Sequence, residues 1–372
     1  MKKRICLSMI VRNEIKIIQR CLESAKDHIT SFVIHDTGSS DFTREKIVKL
    51  LEGIPGQIIN KPWKDFSANR NMALEDASSY PNTDWILFLD ADEILQFAND
   101  KITLSDLIED DFDGFSIKSQ TNDSNNIYLK TKLIKNNGKF EYQGVTHEAL
   151  VNKKPVVMKT LDKVQIIELN DSSRRTSGLK FLDDLSLLEM DFKKNPTSRN
   201  CFYLARTYFD LGFMNPAELY FKKRIEMGGW EEEVYISLHQ LATIKKNQNP
   251  NQSIVNLLDV FLAAYNFRPS RSEAIADICS CLEKEKNWHL LYYISRGQWN
   301  LSTDTLLVDK SAHWRIAESH AIASFYIGRY EESKILLEKI IETEDLNDLE
   351  IDRLKNNLKL AKANVKPQTP NN

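Results

Sequence analysis

Near residue 170 this chain changes its period, and that change decides what it can fold into. Up to about residue 170, short apolar runs alternate with amphipathic helical stretches; beyond about 174 strand signals nearly vanish and helical pairs take over. Alternating β and α segments build a parallel sheet covered by helices on both faces. Paired helices at a recurring spacing build a stacked array. The 372 residues leave room for both. The expected organisation is an α/β domain over 1–173, an all-α domain over 174–362 and a frayed tail over 363–372, where Lys366–Asn372 carries two prolines and ends in two asparagines.

In the first part Ile5–Val11, Phe32–Ile34, Gly56–Asn60 and Trp85–Leu89 read as strands. Glu14–Lys26, Thr43–Leu51 and Ser67–Ala77 read as the helices between them, each with an apolar stripe at helical spacing. Asp113–Gln120, Ile127–Ile134 and Lys139–Tyr142 predict a meander with a turn at Asn136-Asn137-Gly138, and Val164–Leu169 one more strand. The basic start followed by apolar residues imitates a leader peptide, but the apolar stretch stops at Arg12-Asn13-Glu14 and is better read as a first strand. No stretch approaches the length of a membrane span.

In the second part Leu204, Ala205, Tyr208, Gly212, Ala217 and Phe221 fall at tetratricopeptide spacing. Ala321, Gly328, Ser333, Leu337 and Ile340 keep the same offsets, and Leu238 lies one period after Leu204, before an insertion at Asn247–Gln252. The stripe Leu336, Leu337, Ile340 and Ile341 has no later repeat to cap it, which predicts internal packing or a homodimer contact. A net charge of −3 gives no electrostatic case for nucleic acid or an anionic membrane as main partner. Five irregularly spaced cysteines read as reduced thiols, hence a cytoplasmic protein.

The chemistry gathers at loop positions. Asp90-Ala91-Asp92 follows the strand Trp85–Leu89. Two carboxylates one residue apart at a strand's end can reach one hard cation, and Mg²⁺ or Mn²⁺ held this way bridges to substrate phosphates. Ligands of open α/β sheets collect at that edge. The first strand ends in Ile10-Val11-Arg12-Asn13-Glu14 and the second in His35-Asp36-Thr37-Gly38-Ser39-Ser40-Asp41. Asp36 can accept from a nucleobase or ribose, while Ser40 or Asp41 suits a helix cap. Arg70, near a helix start, suits a diphosphate or an ion pair with Asp65 or Glu75. His147 could ligate metal or hold phosphate, and Glu148 could take a proton from an acceptor. Neighbours on a strand point to opposite faces, so only an irregular loop aims both inward.

Taken in order, Ile10–Glu14, Asp36–Asp41, Asp65–Asn71, Asp90–Asp92 and His147-Glu148 resemble family 2 glycosyltransferases of the GT-A fold, a Rossmann-like nucleotide-sugar domain, over about residues 4–170. The helical remainder, through Tyr203–Gly212 and Glu226–Trp230, resembles the tetratricopeptide extension of a bacterial and viral branch that includes peptide S-glycosyltransferases of glycocin bacteriocins. The resemblance implies inverting transfer from a nucleotide sugar, often a UDP sugar, to a peptide, protein or glycan acceptor, assisted by Mn²⁺ or Mg²⁺. It places Asp36 on the nucleobase and Val11, Arg12, Glu14, Arg70, Asp90 and Ala91 around the nucleotide. It gives Asp90, Asp92 and His147 to the metal, and Asp92 and Glu148 to catalysis, with the division between His147 and Glu148 left open. His35-Asp36-Thr37 replaces the paired aspartates of many relatives, which leaves the base open. No Gln-x-x-Arg-Trp element is present, which disfavours processive synthesis. Two alternatives remain: a nucleotidyl- or phosphotransferase on a similar sheet, though no Walker-type loop is present, and a non-catalytic tetratricopeptide scaffold.

Overall fold

The computed structural model describes residues 3–99, 101–121, 127–249, 251–297 and 309–365, and they group into two compact units, Met1–Pro196 and Thr197–Asn372. The expected tail at Lys366–Asn372 and one residue of the expected insertion at Asn247–Gln252 lie outside the described residues. No helix among the described residues is long and apolar enough to cross a membrane.

The first unit opens with β1 (Ile5–Val11), α1 (Ile18–Ala25), β2 (Ser31–Asp36), α2 (Thr43–Leu50), β3 (Gly56–Asn60), α3 (Phe66–Ser79) and β4 (Trp85–Phe88). β5 (Glu93–Phe97), α4 (Leu104–Leu107), β6 (Gly114–Thr121), β7 (Ile127–Lys135), β8 (Phe140–Gln143), β9 (Ala149–Asn152) and β10 (Met158–Glu168) follow. Two helices, α5 (Ser173–Thr176) and α6 (Lys180–Lys194), end the unit. An eight-stranded sheet runs in the order β3-β2-β1-β4-β7-β6-β10-β5. β1 pairs in parallel with β2 and β4, and β2 with β3, so their carboxyl ends share one edge.

β1 and β2 are almost wholly buried, as expected of central strands covered on both faces. One core packs α1 through Ile18, Cys21, Leu22 and Ala25 onto Leu7, Met9, Leu87 and Phe115. A second gathers Cys6, Val33, Ile86, Phe88 and Ile134 with Ala77 of α3. Gly56 opens β3 against Phe32 of β2; a Cβ there would stand 2.4 Å from the ring, so the close strand approach excludes a side chain.

Four expectations change. The sheet is mixed, because β7 enters antiparallel between β4 and β6. The turn at Asn136–Gly138 does not close a hairpin in that sheet: β8 leaves it and pairs with β9. β5, which no periodicity announced, begins at the residue after Asp92 and pairs antiparallel with β10. α1 also starts later than expected, at Ile18, so Glu14 lies in the turn before it, where its carbonyl accepts the amides of Ile17 and Ile18.

Among its described residues the second unit is all helical: α7 (Ser198–Asp210), α8 (Met214–Met227), α9 (Glu231–Gln248), α10 (Leu258–Phe267), α11 (Glu273–Lys284), α12 (Trp288–Ser295), α13 (Ala312–Tyr326), α14 (Tyr330–Thr343) and α15 (Asp348–Asn364). Helices that follow each other pack together, and α11 also packs on α13, giving tetratricopeptide-like stacked pairs. Leu204, Ala205, Ala217 and Phe221 are all fully buried in the seam of α7 and α8. Gly212 and Gly328 occupy equivalent turns at φ 81° and 84°, a conformation glycine adopts without strain. The stripe Leu336, Leu337, Ile340 and Ile341 is covered by α15 through Leu354, Leu358 and Ala361.

Candidate active site

The loops leaving β1, β2 and β4 border a cleft of about 760 Å³ within the first unit. Val11, Arg12, Glu14, Thr37, Arg70, Asp90, Ala91 and Asp92 line it, together with Trp63, Phe66, Lys130, Glu168 and residues between Asn170 and Leu187. The first two loops are laced together. The Asn13 amide donates to Ser39 Oγ at 2.9 Å, and the Ser40 amide donates to Asn13 Oδ1 at 2.7 Å. Asp41 accepts from the amides of Ile15 and Thr43, at 3.2 and 3.1 Å. Asp36 is buried, and its Oδ1 accepts the amides of Gly38 and Ser39 at 2.9 and 2.7 Å, a turn that Gly38 completes at φ 111°. Thr37 lines the cleft; Asp36 lies just behind it.

Arg70 does not pair with Asp65 or Glu75. From α3 its Nη2 meets Asp90 Oδ1 at 2.7 Å, and its Nε meets Glu148 Oε1 at 2.5 Å. Its guanidinium also stands 5.5 Å from the Tyr142 ring centroid. Lys132 binds Glu93 at 2.6 Å and lies 3.7 Å from the free oxygen of Asp90. Glu93 Oε2 in turn accepts the Asp90 amide at 2.9 Å, fixing the turn between β4 and β5. Burial alone would lift the Asp90 carboxyl, but Arg70 and Lys132 outweigh it and hold the group well below the usual aspartate range.

Asp92 behaves in the opposite way. Burial, and then the charges of Asp90, Glu168 and Asp171, push its carboxyl up. Burial also pushes Glu14 up to about 7, although the Ser173 amide donates to its Oε2 at 3.1 Å. The native state therefore keeps the Glu14 proton between about pH 4.5 and 7, where the unfolded chain has released it, and stability falls as pH rises through that window. Glu14→Gln fixes the neutral form. It should melt at the wild-type temperature below about pH 4.5 and above it at pH 8, as read by thermal melting across that range. A difference that stays constant with pH would show that Glu14 is not the titrating group.

A second cavity, about 430 Å³, is lined by Lys132, Tyr142, His147 and Glu148, and shares Arg70, Asp90 and Lys130 with the cleft. His147 sits at φ 51° in the loop between β8 and β9. This left-handed residue breaks the alternation of a strand, so both neighbours line one cavity. His147 and Asp92 line different cavities. Among the described residues no group of three His, Cys, Asp or Glu side chains could hold a metal ion by itself. A divalent ion carried on a diphosphate needs only one or two protein carboxylates. Asp92, raised by burial and by neighbouring carboxylates, supplies an oxygen beside other carboxylates, which fits such an ion.

Sequence reasoning missed Glu93, Lys130, Lys132 and Glu168. A signal existed for the lysines: two residues apart on β7, they share one face. The cleft residues beyond Asn170 carried no comparable signal.

Residues 6–148 match the model of glycosyl transferase family 2, the stretch that holds every site residue discussed from Val11 to Glu148. Over this stretch, under half of its length, the chain is similar to family 2 glycosyltransferases. The glycosyltransferase SunS of Bacillus subtilis, of prophage SPbeta origin, is 31% identical over 153 residues, 40% of this chain and 35% of that protein. A TPR repeat-containing protein of Synechococcus elongatus is 39% identical over 93 residues, 25% of this chain and 21% of that protein. The matched stretches thus span about a third or less of these relatives' own lengths. Among solved structures, S. aureus TarS in complex with UDP-GlcNAc aligns at 14% identity and a TM-score of 0.41, covering 69% of this chain and 90% of that one.

Proposed function

We propose that this chain is a non-processive, inverting glycosyltransferase that moves a sugar from a nucleotide sugar, in the first instance a UDP sugar, to a peptide, protein or glycan acceptor with the help of Mn²⁺ or Mg²⁺. The observation that carries the reading is the Arg70 bridge. It joins Asp90 at the end of β4 to Glu148 inside the family 2 domain, at the wall where two cavities meet. SunS, named a glycosyltransferase, supports the same class.

In this reading the nucleotide lies in the cleft. Val11, Arg12, Glu14 and Ala91 border it, and Asp36 shapes the turn beside the base. Asp92 would hold the divalent ion, with Asp90 behind it and His147 as a further candidate ligand. When bound, that ion supplies the positive charge that offsets the leaving diphosphate. Arg70 orients the Glu148 carboxylate toward the second cavity, from which the acceptor approaches. Glu148 takes the proton of the acceptor hydroxyl or thiol as it attacks the anomeric carbon, and displacement from the side opposite the diphosphate inverts that centre. The helical unit is assigned to acceptor recruitment, since stacked repeats offer extended binding surfaces.

Incubation with a panel of nucleotide sugars and Mn²⁺, reading nucleotide release, tests the class and identifies the donor. Silence across the panel would leave a phosphotransferase or scaffold. Nucleotide binding should also depend on the cation, because without it the Asp92 carboxylate, which among the described residues has no such ion pair as Asp90 has with Arg70, repels a diphosphate. Calorimetric titration of UDP is expected to show affinity at least about 10-fold weaker in chelator than in Mn²⁺. Equal or tighter binding in chelator contradicts the arrangement.

A further inference from the structure

The Glu148 loop is held from a place far along the chain. Asp184 of α6 is fully buried. Its Oδ1 accepts the Thr146 hydroxyl at 2.6 Å and Arg174 Nη2 at 2.5 Å. Its Oδ2 is buried with no hydrogen-bond partner. A buried carboxylate with one idle oxygen is a costly choice for a structural peg. Arg174, the charge that offsets it, lies over the Phe66 ring at 4.7 Å and lines the cleft. The Phe66 amide donates to Val145 at 3.1 Å. Phe66 opens α3, the helix that carries Arg70. One chain of contacts therefore runs from Asp184 through Thr146 to the loop, and another from Asp184 through Arg174 and Phe66 to the same loop and to the start of α3.

What this clamp holds is a strained segment. Gly144 is at φ 102° and His147 at φ 51°, and a non-glycine residue in that region costs about 1 kcal/mol or more unless its surroundings impose it. The imposing contacts are those at Val145, Thr146 and Glu148, the last through Arg70.

We propose that Asp184 is a positioning residue: through Thr146 and Arg174 it fixes the loop that presents His147 and Glu148 to the second cavity. This rests on the glycosyltransferase reading, in which Glu148 takes the acceptor proton. Asp184 touches neither donor nor acceptor; it acts by keeping Glu148 within reach of the attacking atom, where a displacement near 1 Å costs about 10²-fold in rate.

The test uses the full chain with UDP-glucose and UDP-N-acetylglucosamine as donors and water as acceptor. Thr146→Val keeps the side-chain shape and removes the donated hydrogen bond; Thr146→Ser keeps the hydroxyl; Asp184→Asn keeps the shape and removes the charge. UDP release should fall about 10-fold or more in Thr146→Val and Asp184→Asn, in kcat, with KM for the donor and calorimetric UDP affinity within about twofold of wild type. Thr146→Ser should restore release to within about twofold. Wild-type release in Thr146→Val, or UDP affinity falling in parallel with kcat, overturns the positioning role. A wild-type chain that releases no nucleotide from these donors or from the wider nucleotide-sugar panel sinks the glycosyltransferase reading instead. Amide hydrogen exchange over residues 143–148 then decides on the clamp alone: faster exchange in Thr146→Val at an unchanged melting temperature supports it, and unchanged exchange removes it.

Discussion

Asp92→Asn is expected to reduce sugar transfer by about 10²-fold or more while leaving the protein at least as stable as wild type. The two effects share a cause. Burial and the nearby charges of Asp90, Glu168 and Asp171 push the Asp92 carboxyl up, so at neutral pH the fold holds an anion it disfavours. Asparagine has the same shape and no charge, so it relieves that repulsion and melting should not fall. The relief is available only because the site is built for a positive partner that arrives with the nucleotide. Once the charge is gone, the ion that offsets the developing diphosphate loses its carboxylate anchor, and Lys132 cannot substitute because Glu93 already holds it at 2.6 Å. Turnover in saturating Mn²⁺, measured beside thermal melting, separates the outcomes. A fully active variant removes Asp92 from the site, and a lower melting temperature shows that its charge is compensated in the fold.

The legible parts of this chain are those where burial and period agree. β1 and β3 lie at their expected bounds because one is an apolar run broken only by Ser8 and the other is closed by turn residues at both ends. α2 and the pair α7–α8 follow from helical spacing and from Gly212. What stayed hidden depends on partners distant in sequence. β5 looks like the tail of a turn, and only pairing with β10, some seventy residues later, makes it a strand. β8 has a strand's composition, but pairing with β9 takes it out of the main sheet. At the site, each residue type from Val11 to Asp92 was visible as chemistry, whereas the partner of Arg70 was not. Asp65 and Glu75 are its sequence neighbours, and the fold supplies Asp90 and Glu148 instead. The irregular loop that His147 and Glu148 require could be stated as a condition from strand alternation, and His147 at φ 51° meets it. Asp184 could not be found in advance, since an aspartate of the pair Asp183-Asp184 within an amphipathic helix reads as a solvated face.

Arg70→Ala is expected to lower stability by about 3–5 kcal/mol, the largest loss at any single site residue. Among the described residues Arg70 is the one cation bonded to Asp90 and Glu148 at once, and its own side chain is only 13% exposed. Its removal leaves Glu148, 12% exposed, without its bonded cation, while Asp90 keeps Lys132 at 3.7 Å. The lost packing against Tyr142 is a smaller part of the deficit. Arg70→Lys should lie between, because one ammonium cannot reproduce a planar fork aimed at two carboxylates. The decisive variant is the double change Arg70→Met with Glu148→Gln, which removes the guanidinium and the Glu148 charge, keeps most of the volume and leaves Asp90 beside Lys132. If uncompensated charge is what destabilises Arg70→Ala, denaturant unfolding should return most of the lost stability in the double variant. Nucleotide release should nevertheless stay at the level of the weaker single variant, since neither the bridge nor the base is present. Recovery of activity along with stability would mean that the Arg70 bridge serves the fold alone, and that the proton acceptor lies elsewhere in the cleft.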